Sequence, residues 1–265
     1  MPRSETTAGW ITLTTDFGLE DWFVGTMKGV IARIAPKVRV VDLNHGIAPG
    51  DVRAGAFSLA AGFRFFPKGA IHIAIVDPGV GSARRALVAR TASCLFIGPD
   101  NGVLSRVLSQ ESPIEVRCLE NPKWRLNKVS KTFHGRDVFA PAAAHLAAGA
   151  PVSDAGPKVD CWAQLDIPTP RSRSHQVQGA VVYVDRYGNA ITNIPNEGFL
   201  DPERPADVWV GEKRVTKVHE FYQSVAPGKA VCVPGSSGFL EIAVNSGDAA
   251  KRLKLKVGSE ISVRW

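Results

Sequence analysis

Cysteine is scarce in this 265-residue chain, and its cysteines are not grouped. The four cysteines form no C-x-x-C pair and lie at Cys94, Cys118, Cys161 and Cys232. The six histidines are equally scattered. This distribution lacks the ligand spacing of a zinc site, and without an export signal it favours reduced thiols over disulfides. We therefore expect no protein-bound metal.

Long apolar runs are also lacking. No run approaches the ~18–20 apolar residues that a membrane helix needs. The first ten residues have neither the apolar stretch nor the small-residue cleavage site of a secretory signal. We therefore expect a cytoplasmic protein without membrane contact. Its 45% apolar and 22% charged residues are typical of a globular protein with one large domain or two smaller ones.

Acidic residues are outnumbered, which leaves a net charge of +7. The basic residues are spread along the chain, and the densest run is 171–175. No aromatic pattern of the kind that stacks on single-stranded nucleic acid accompanies them. We interpret the charge as a solvated basic surface and predict no nucleic-acid partner. An anionic partner is the alternative.

The first part of the chain alternates two kinds of apolar pattern. Strand-like runs lie at 10–15, 38–43, 70–76, 86–90 and 94–97. Helical patterns lie at 20–35, 51–65, about 101–109 and 137–148. This β-α-β-α order predicts an α/β domain over residues 1–166, with a mostly parallel central sheet between helices.

The composition changes at 167–176, which reads I-P-T-P-R-S-R-S-H-Q and predicts a stiff, exposed linker. Short strand candidates with turn signals follow it. They lie at 179–184, 190–194, 207–210, 214–218, 230–233, 239–244 and 260–265. Without a long helical pattern, residues 177–265 are predicted to form an all-β domain, a small barrel or sandwich.

The run V-D-P-G-V-G-S-A-R ends an apolar strand at Asp77 and then places Gly79 and Gly81 at G-x-G spacing. Such glycines can open a dinucleotide-binding loop. Here the third glycine position is Arg84, and a strand follows instead of a phosphate-facing helix. The alternative is a tight turn with a structural Asp–Arg pair.

His134 stands in the run T-F-H-G-R-D, just before a predicted helix. Asp137 can cap that helix or pair with Arg136, and His134 can be a core residue with satisfied hydrogen bonds. If His134 meets Asp77 and Arg84, the three supply an imidazole, a carboxylate and a permanent cation. Such a trio can align and polarise a small nucleophile such as water.

Three other places offer groups suited to a nucleoside or an amino acid. Asp16 follows the first strand and can hold a vicinal diol such as a ribose, or cap the helix near Glu20. The Asn189 amide can pair with an adenine edge, or serve a hairpin turn. The run Gly235-Ser-Ser-Gly238 offers N–H groups and hydroxyls to a carboxylate, or simply turns the chain.

Six ordered blocks, running from Thr12 to about Ala250, resemble the S-adenosyl-L-methionine (SAM) hydroxide adenosyltransferases. These are adenosine-forming SAM hydrolases, related to the SAM-dependent chlorinases and fluorinases. The blocks are T-T-D-F-G at 14–18, V-D-P-G-V-G-S-A-R at 76–84, G-P-D-N-G-V-L at 98–104, T-F-H-G-R-D-V-F-A-P at 132–141, V-D-R-Y-G-N-A-I-T-N at 184–193 and G-S-S-G-F-L-E-I-A-V-N at 235–245.

The resemblance implies a seven-stranded-type α/β N-terminal domain, a C-terminal β-barrel, and a homotrimer with active sites between neighbouring subunits. It implies SAM as the substrate, adenosine as a product, and no cofactor. The family's water-handling triad matches Asp77, Arg84 and His134.

The resemblance also implies substrate-binding residues. Asp16 matches the aspartate that holds the ribose diol. Asn189 matches the asparagine that reads adenine, with Tyr187 and Phe221 placed to flank the ring. The remaining matches, assigned to the methionine end or to substrate binding in general, are Asp21, Asp185, Ser236 and Ser237.

Two departures from the halogenases favour hydrolysis. Those relatives carry a different residue at the position of His134, and the extra surface loop of the fluorinase is absent between Asn101 and Thr132. We therefore predict attack of water or hydroxide at the ribose C5′ of SAM, giving adenosine and L-methionine. The alternatives are a chloride adenosyltransferase of the same fold, a non-catalytic SAM- or adenosine-binding protein, and a SAM methyltransferase.

Overall fold

The computed structural model describes residues 9–197 and 206–265. The chain divides into two compact units, one ending at Leu165 and the other beginning at Asp166. Within the described residues, no helix has both the length and the apolar character needed to span a membrane.

The described residues of the first unit form six strands and four α-helices. The strands are β1 (Trp10–Thr15), β2 (Arg39–Asn44), β3 (Ile71–Ile75), β4 (Ala86–Arg90), β5 (Leu95–Pro99) and β6 (Glu115–Cys118). The helices are α1 (Phe23–Ile34), α2 (Val52–Gly62), α3 (Ser105–Glu111) and α4 (Ala140–Ala147). A π-helix, Gly135–Phe139, runs directly into α4.

Local sequence explains where these helices begin and end. The apolar positions of α1 recur at helical spacing, so Val24, Met27 and Ile31 are all buried on one face. The helix ends just before Pro36, which cannot continue the hydrogen-bond ladder. At the start of α2, the Asp51 side chain accepts a hydrogen bond from the Ala54 N–H and caps the helix.

The strands form one sheet in the order β2-β1-β3-β5-β4-β6. The β1–β2, β1–β3 and β3–β5 pairs are parallel, whereas β4 is antiparallel to both β5 and β6. This confirms the mostly parallel α/β sheet. The described residues give it six strands, not the seven implied by the resemblance.

Helices cover both faces of this sheet. One core cluster joins α1 and α4 to residues such as Ile11 and Ile73, and a second joins α2 and α3 to residues such as Phe96. The carboxyl ends of β1, β2 and β3 therefore emerge together from a rigid support.

In the second unit, residues 166–197 and 206–265 form an eight-stranded antiparallel sheet. Its strands are β7 (Arg171–Arg173), β8 (Gln176–Val184), β9 (Ala190–Pro195), β10 (Asp207–Val210), β11 (Lys213–Lys217), β12 (Ala230–Pro234), β13 (Phe239–Val244) and β14 (Glu260–Arg264). Their order is β11-β10-β14-β8-β9-β13-β12, with β7 on β8. A bridge between Val218, which directly follows β11, and Cys232 in β12 nearly closes the sheet into the predicted barrel.

Two features of this unit differ from the sequence reading. Part of the predicted linker is a strand, because Arg171–Arg173 pair with β8. A short helix, α5 (Ala249–Leu253), is capped by the Asp248 side chain through the Lys251 N–H.

Candidate functional site

A cavity of about 530 Å³ opens at the carboxyl ends of β1 and β3. The chain runs from β1 to β2 on one side and then to β3 on the other, so the strand order reverses here. Open α/β sheets bind ligands at such reversal points. The wall consists of Asp16, Phe17, Phe23, Pro49, Gly50, Ile75, Asp77, Pro78, Val80, Thr132, Phe133, His134 and Gly135.

The predicted residues Asp77, Arg84 and His134 meet beside this wall. His134 lies 50 positions after Arg84 in the sequence. The Arg84 Nε donates to Asp77 Oδ1 at 3.0 Å, and Arg84 Nη2 donates to the other oxygen of the same carboxylate. Arg84 Nη2 also lies 2.8 Å from His134 Nδ1. The Asp77 and Arg84 side chains are only 4% and 10% exposed, so water screens this ion pair weakly. Asp77 and His134 contribute to the cavity wall, and Arg84 contacts both of them from outside the wall.

The protonation of His134 follows from these contacts. Burial lowers its pKa from the ordinary value of 6.5, and the neighbouring Arg84 cation lowers it further. The imidazole is therefore neutral at pH 7. A guanidinium only donates, so Nδ1 must accept and the ring proton lies on Nε2. His134 thus brings a hydrogen-bond donor, not a free basic nitrogen, to the cavity.

Tight turns hold the triad. The Val80 N–H donates to the Asp77 carbonyl, and the Ser82 N–H donates to the Gly79 carbonyl. Gly81 has φ +78°, and a Cβ there would lie 2.1 Å from the Lys131 carbonyl oxygen. The G-x-G spacing therefore serves a turn against the segment that leads to His134, with β4 following as the sequence predicts.

The π-helix fixes the other side of the triad. His134 immediately precedes it, and the Ala140 N–H donates to the Gly135 carbonyl five residues earlier. Asp137 is fully buried, pairs with Arg136, and accepts from the Ser130 N–H at 2.7 Å. Of the roles considered for Asp137, pairing with Arg136 is confirmed.

Asp16 lies in the cavity wall and is held by one backbone contact. Its Oδ2 accepts from the Gly50 N–H at 2.7 Å. The alternative role as a helix cap is wrong, because α1 begins after Trp22 without a side-chain cap. Asp21 occupies an exposed bend before α1 and does not contribute to this wall.

Aromatic rings supply the apolar part of the wall. Phe17, Phe23 and Phe133 lie with ring centroids 5.1–5.9 Å apart. Tilted and edge-on contacts at these distances are favourable. The cavity therefore combines an apolar floor with two carboxylates and one imidazole.

The remaining predicted residues lie in the second unit. In the β8–β9 turn, Asp185 accepts from the N–H groups of Tyr187 and Asn189 and from the Asn189 side-chain amide. The hairpin role considered for Asn189 is therefore present. Tyr187 and Phe221 are 77% and 56% exposed, which leaves both rings accessible within this unit.

Ser236 and Ser237 lie in the β12–β13 turn, where Ser236 is exposed and Ser237 half-buried. The strand pairing places this turn next to Pro195, at the end of β9 opposite Asn189. Within a single chain, the two serines and the Asp185–Asn189 turn therefore lie at opposite ends of β9.

The loop after β2 also contributes to the site, although it was not among the predicted site residues. Gly50 in this loop holds Asp16, and Pro49 adds to the cavity wall. The available signal was the cluster of turn-forming residues that follows a predicted strand at the same sheet edge as Asp16. Among the described residues, no group of three or more His, Cys, Asp or Glu side chains is arranged to hold a metal ion.

Comparison with known proteins gives a consistent result for both units. A family model described as the SAM hydroxide adenosyltransferase N-terminal domain matches residues 11–156. The model for the C-terminal domain of the same family matches residues 179–262.

Individual relatives span nearly the whole chain. An (R)-S-adenosyl-L-methionine hydrolase of Salinispora arenicola is 40% identical, over 96% of this chain and 97% of that protein. A fluorinase of Actinoplanes sp. is more distant, at 28% identity over 96% of each chain. The crystal structure of an uncharacterized conserved protein from Thermotoga maritima is 38% identical, with a TM-score of 0.91 over 96% of this chain and 100% of that one.

Proposed function

Since this chain belongs to the SAM hydroxide adenosyltransferase family, we propose that it hydrolyses S-adenosyl-L-methionine by nucleophilic substitution at the ribose C5′. The products are adenosine and L-methionine. The observation that carries this proposal is the meeting of Asp77, Arg84 and His134 at a cavity large enough for a nucleoside. The 40% identity to a protein named as such a hydrolase supports it.

Water is the nucleophile in this proposal. His134 Nε2–H donates to the water oxygen, and the Asp77 carboxylate accepts one of its protons, which leaves a lone pair directed at C5′. The new O–C5′ bond forms as the C5′–S bond breaks, and the bonding pair returns to sulfur as the thioether of methionine. The attacking water gives up one proton to the Asp77 carboxylate and from there to bulk water, so the new 5′-hydroxyl is neutral. The sulfonium is already a good leaving group and needs no acid.

Arg84 acts by positioning in this scheme. Its planar guanidinium holds the carboxylate with two donors and the imidazole with one, so both groups face the water in fixed orientations. Such positioning of reactants can contribute on the order of 7–11 kcal/mol to catalysis. Asp16, which also contributes to the wall, receives the ribose diol.

The name of the Salinispora arenicola relative specifies one sulfonium epimer. We propose the same preference here, so that the (R)-epimer of SAM is the better substrate. The decisive experiment incubates the protein with each epimer alone in halide-free buffer and identifies the products by chromatography. Adenosine and methionine, formed faster from the (R)-epimer, are expected. S-adenosylhomocysteine as the product would instead indicate a methyltransferase.

The fluorinase relatives make halide transfer the second candidate. Adding chloride to the same reaction tests it, because halide attack gives 5′-chloro-5′-deoxyadenosine. Adenosine as the sole nucleoside product is expected. Bound but unreacted SAM in both buffers would leave only the binding-protein alternative.

We further propose a homotrimer in the cytoplasm, with active sites between neighbouring subunits. The exposed Tyr187 and Phe221 support this assembly, since both rings are available to a purine held partly by another chain.

A further inference from the structure

A polar network that is buried at Thr15 and His45, and partly exposed at Asp42 and Lys28, lies next to Asp16 without contributing to the cavity wall. His45 is 5% exposed and Thr15 is fully buried. Thr15 Oγ1 lies 2.7 Å from His45 Nδ1, and His45 Nε2 lies 3.0 Å from Asp42 Oδ1. Lys28 donates to the same carboxylate at 2.6 Å. A buried polar pair adds little net stability compared with an apolar pair of the same shape. The Thr15–His45 pair therefore calls for another explanation.

The direction of each contact can be assigned. His45 Nε2 faces the Asp42 carboxylate at 3.0 Å. The carboxylate would repel a lone pair on Nε2, so the ring N–H is placed on Nε2. His45 Nδ1 then accepts the Thr15 hydroxyl proton. The Thr15 oxygen in turn accepts the Phe17 N–H at 3.2 Å.

A β-bulge brings His45 to Thr15. The register between β1 and β2 shifts after Leu13, and Leu43 is the extra residue. Leu43 packs directly on Gly62, where a Cβ would lie 2.6 Å from its Cδ1. Bulges re-aim the side chains that follow them, and this one turns His45 towards β1.

The contacts converge on Asp16. The hydrogen bond from the Phe17 N–H to the Thr15 hydroxyl joins the two residues that flank Asp16 in the sequence. The Gly18 N–H donates to the His45 carbonyl at 3.0 Å, and the Gly50 N–H donates to the Asp16 carboxylate at 2.7 Å. The imidazole therefore joins two loops that must stay in register for Asp16 to face the cavity.

We infer that His45, acting through Thr15, is a positioning residue that fixes the Asp16 carboxylate for the two hydroxyls of a ribose. This inference rests on the proposed function, which gives the cavity a nucleoside ligand. It assigns a role to the loop after β2 that the reaction chemistry alone does not require.

The test compares adenosine with 2′-deoxyadenosine in titration calorimetry. The wild-type protein should bind adenosine more tightly, because a charge-assisted bond from the 2′-hydroxyl to Asp16 is worth about tenfold or more in affinity. In Thr15→Val this preference should fall about tenfold, towards equal affinity. His45→Gln should give the same loss.

Thr12→Val is the matched control. Thr12 lies on the same strand, is fully buried, and contacts the buried His72 at 2.8 Å. A structural effect of removing a threonine hydroxyl should lower the melting temperature in both variants. The ribose preference should fall only in Thr15→Val, and an unchanged preference in that variant would overturn the inference.

A second measurement separates this inference from the proposed function. Hydrogen exchange of the Gly50 amide reports on its bond to Asp16 without any ligand. We expect faster exchange in Thr15→Val than in wild type or Thr12→Val. Unchanged exchange overturns the positioning role, even if SAM is hydrolysed. If exchange is faster in Thr15→Val but the wild-type protein forms no adenosine from SAM, the positioning role is supported and the hydrolase proposal is refuted.

Discussion

At the scale of single residues, Arg84 decides what its two partners can do. A guanidinium carries donors only, so the atoms of Asp77 and His134 that face it must accept. The sequence was sufficient to select these three residues as a possible group. It was not sufficient to assign the His134 proton, because that assignment depends on which ring nitrogen Arg84 contacts.

We expect His134→Ala to lower kcat for adenosine formation by ~10²–10³-fold, the usual cost of losing one preorganised donor. The affinity for adenosine should change little, since the nucleoside is held elsewhere. His145→Ala is the control. Burial lowers the pKa of His145 as well, but this residue lies in α4, stacks on Trp124 and does not contribute to the cavity wall. Equal losses in both variants would contradict a direct role for His134.

A second residue-scale prediction concerns stability in acid. His72 is fully buried among phenylalanine rings, and burial lowers its pKa to about 4. The unfolded chain therefore binds more protons than the folded chain between pH 6.5 and about 4. The free energy of unfolding should fall by about 3 kcal/mol across that range from this group alone.

Urea unfolding of wild type and His72→Gln at pH 7 and pH 4.5 measures this contribution. The variant should lose less stability on acidification, because its amide does not titrate. Parallel losses in the two proteins would show that His72 is not the linked group.

At the scale of elements, the strongly periodic segments were predictable and the irregular ones were not. Helix α1 follows from apolar spacing and Pro36, and β1 and β3 follow from their apolar runs. Strand β6 was missed, since its four residues alternate too briefly to stand out. The bulge at Leu43 and the π-helix leave no sequence signal, because both arise from how neighbouring elements pack.

We expect Gly81→Ala to impair both folding and activity. A side chain at φ +78° is strained, and its Cβ would strike the Lys131 carbonyl, just before the segment that carries His134. The loss should be about 1–3 kcal/mol of stability, together with slower adenosine formation. Gly79→Ala is the control, because its Cβ would meet nothing nearer than 3.5 Å. Thermal melts and product assays on both variants check this, and a tolerated Gly81→Ala would contradict the turn's role.

At the scale of the whole molecule, composition and pattern predicted both kinds of architecture. The α/β order of the first part of the chain predicted the mostly parallel sheet. The short strands of the second part predicted the nearly closed barrel. The pairing of Arg171–Arg173 with β8, inside the interruption at 167–176, was not predicted, since three residues of edge strand have no distinctive pattern.

The proposed assembly leads to a prediction at this scale. Light scattering coupled to size exclusion should give three times the mass of one chain. Replacing the exposed Tyr187 by Ala should weaken adenosine binding without changing that mass, because the ring is proposed to contact the purine. A monomer that hydrolyses SAM at full rate would refute the intersubunit site while leaving the reaction intact.

The π-helix before α4 has a consequence for how proteins of this architecture can diverge. Each residue of an α-helix turns the chain by about 100°, so deleting one residue from Gly135–Phe139 would rotate His134 away from Arg84 relative to the rest of α4. All three residues of the triad would still be encoded, yet the His134 imidazole would no longer face Arg84. Change of chemistry in such a lineage can therefore begin with the length of one helical turn, before any residue of the triad is replaced.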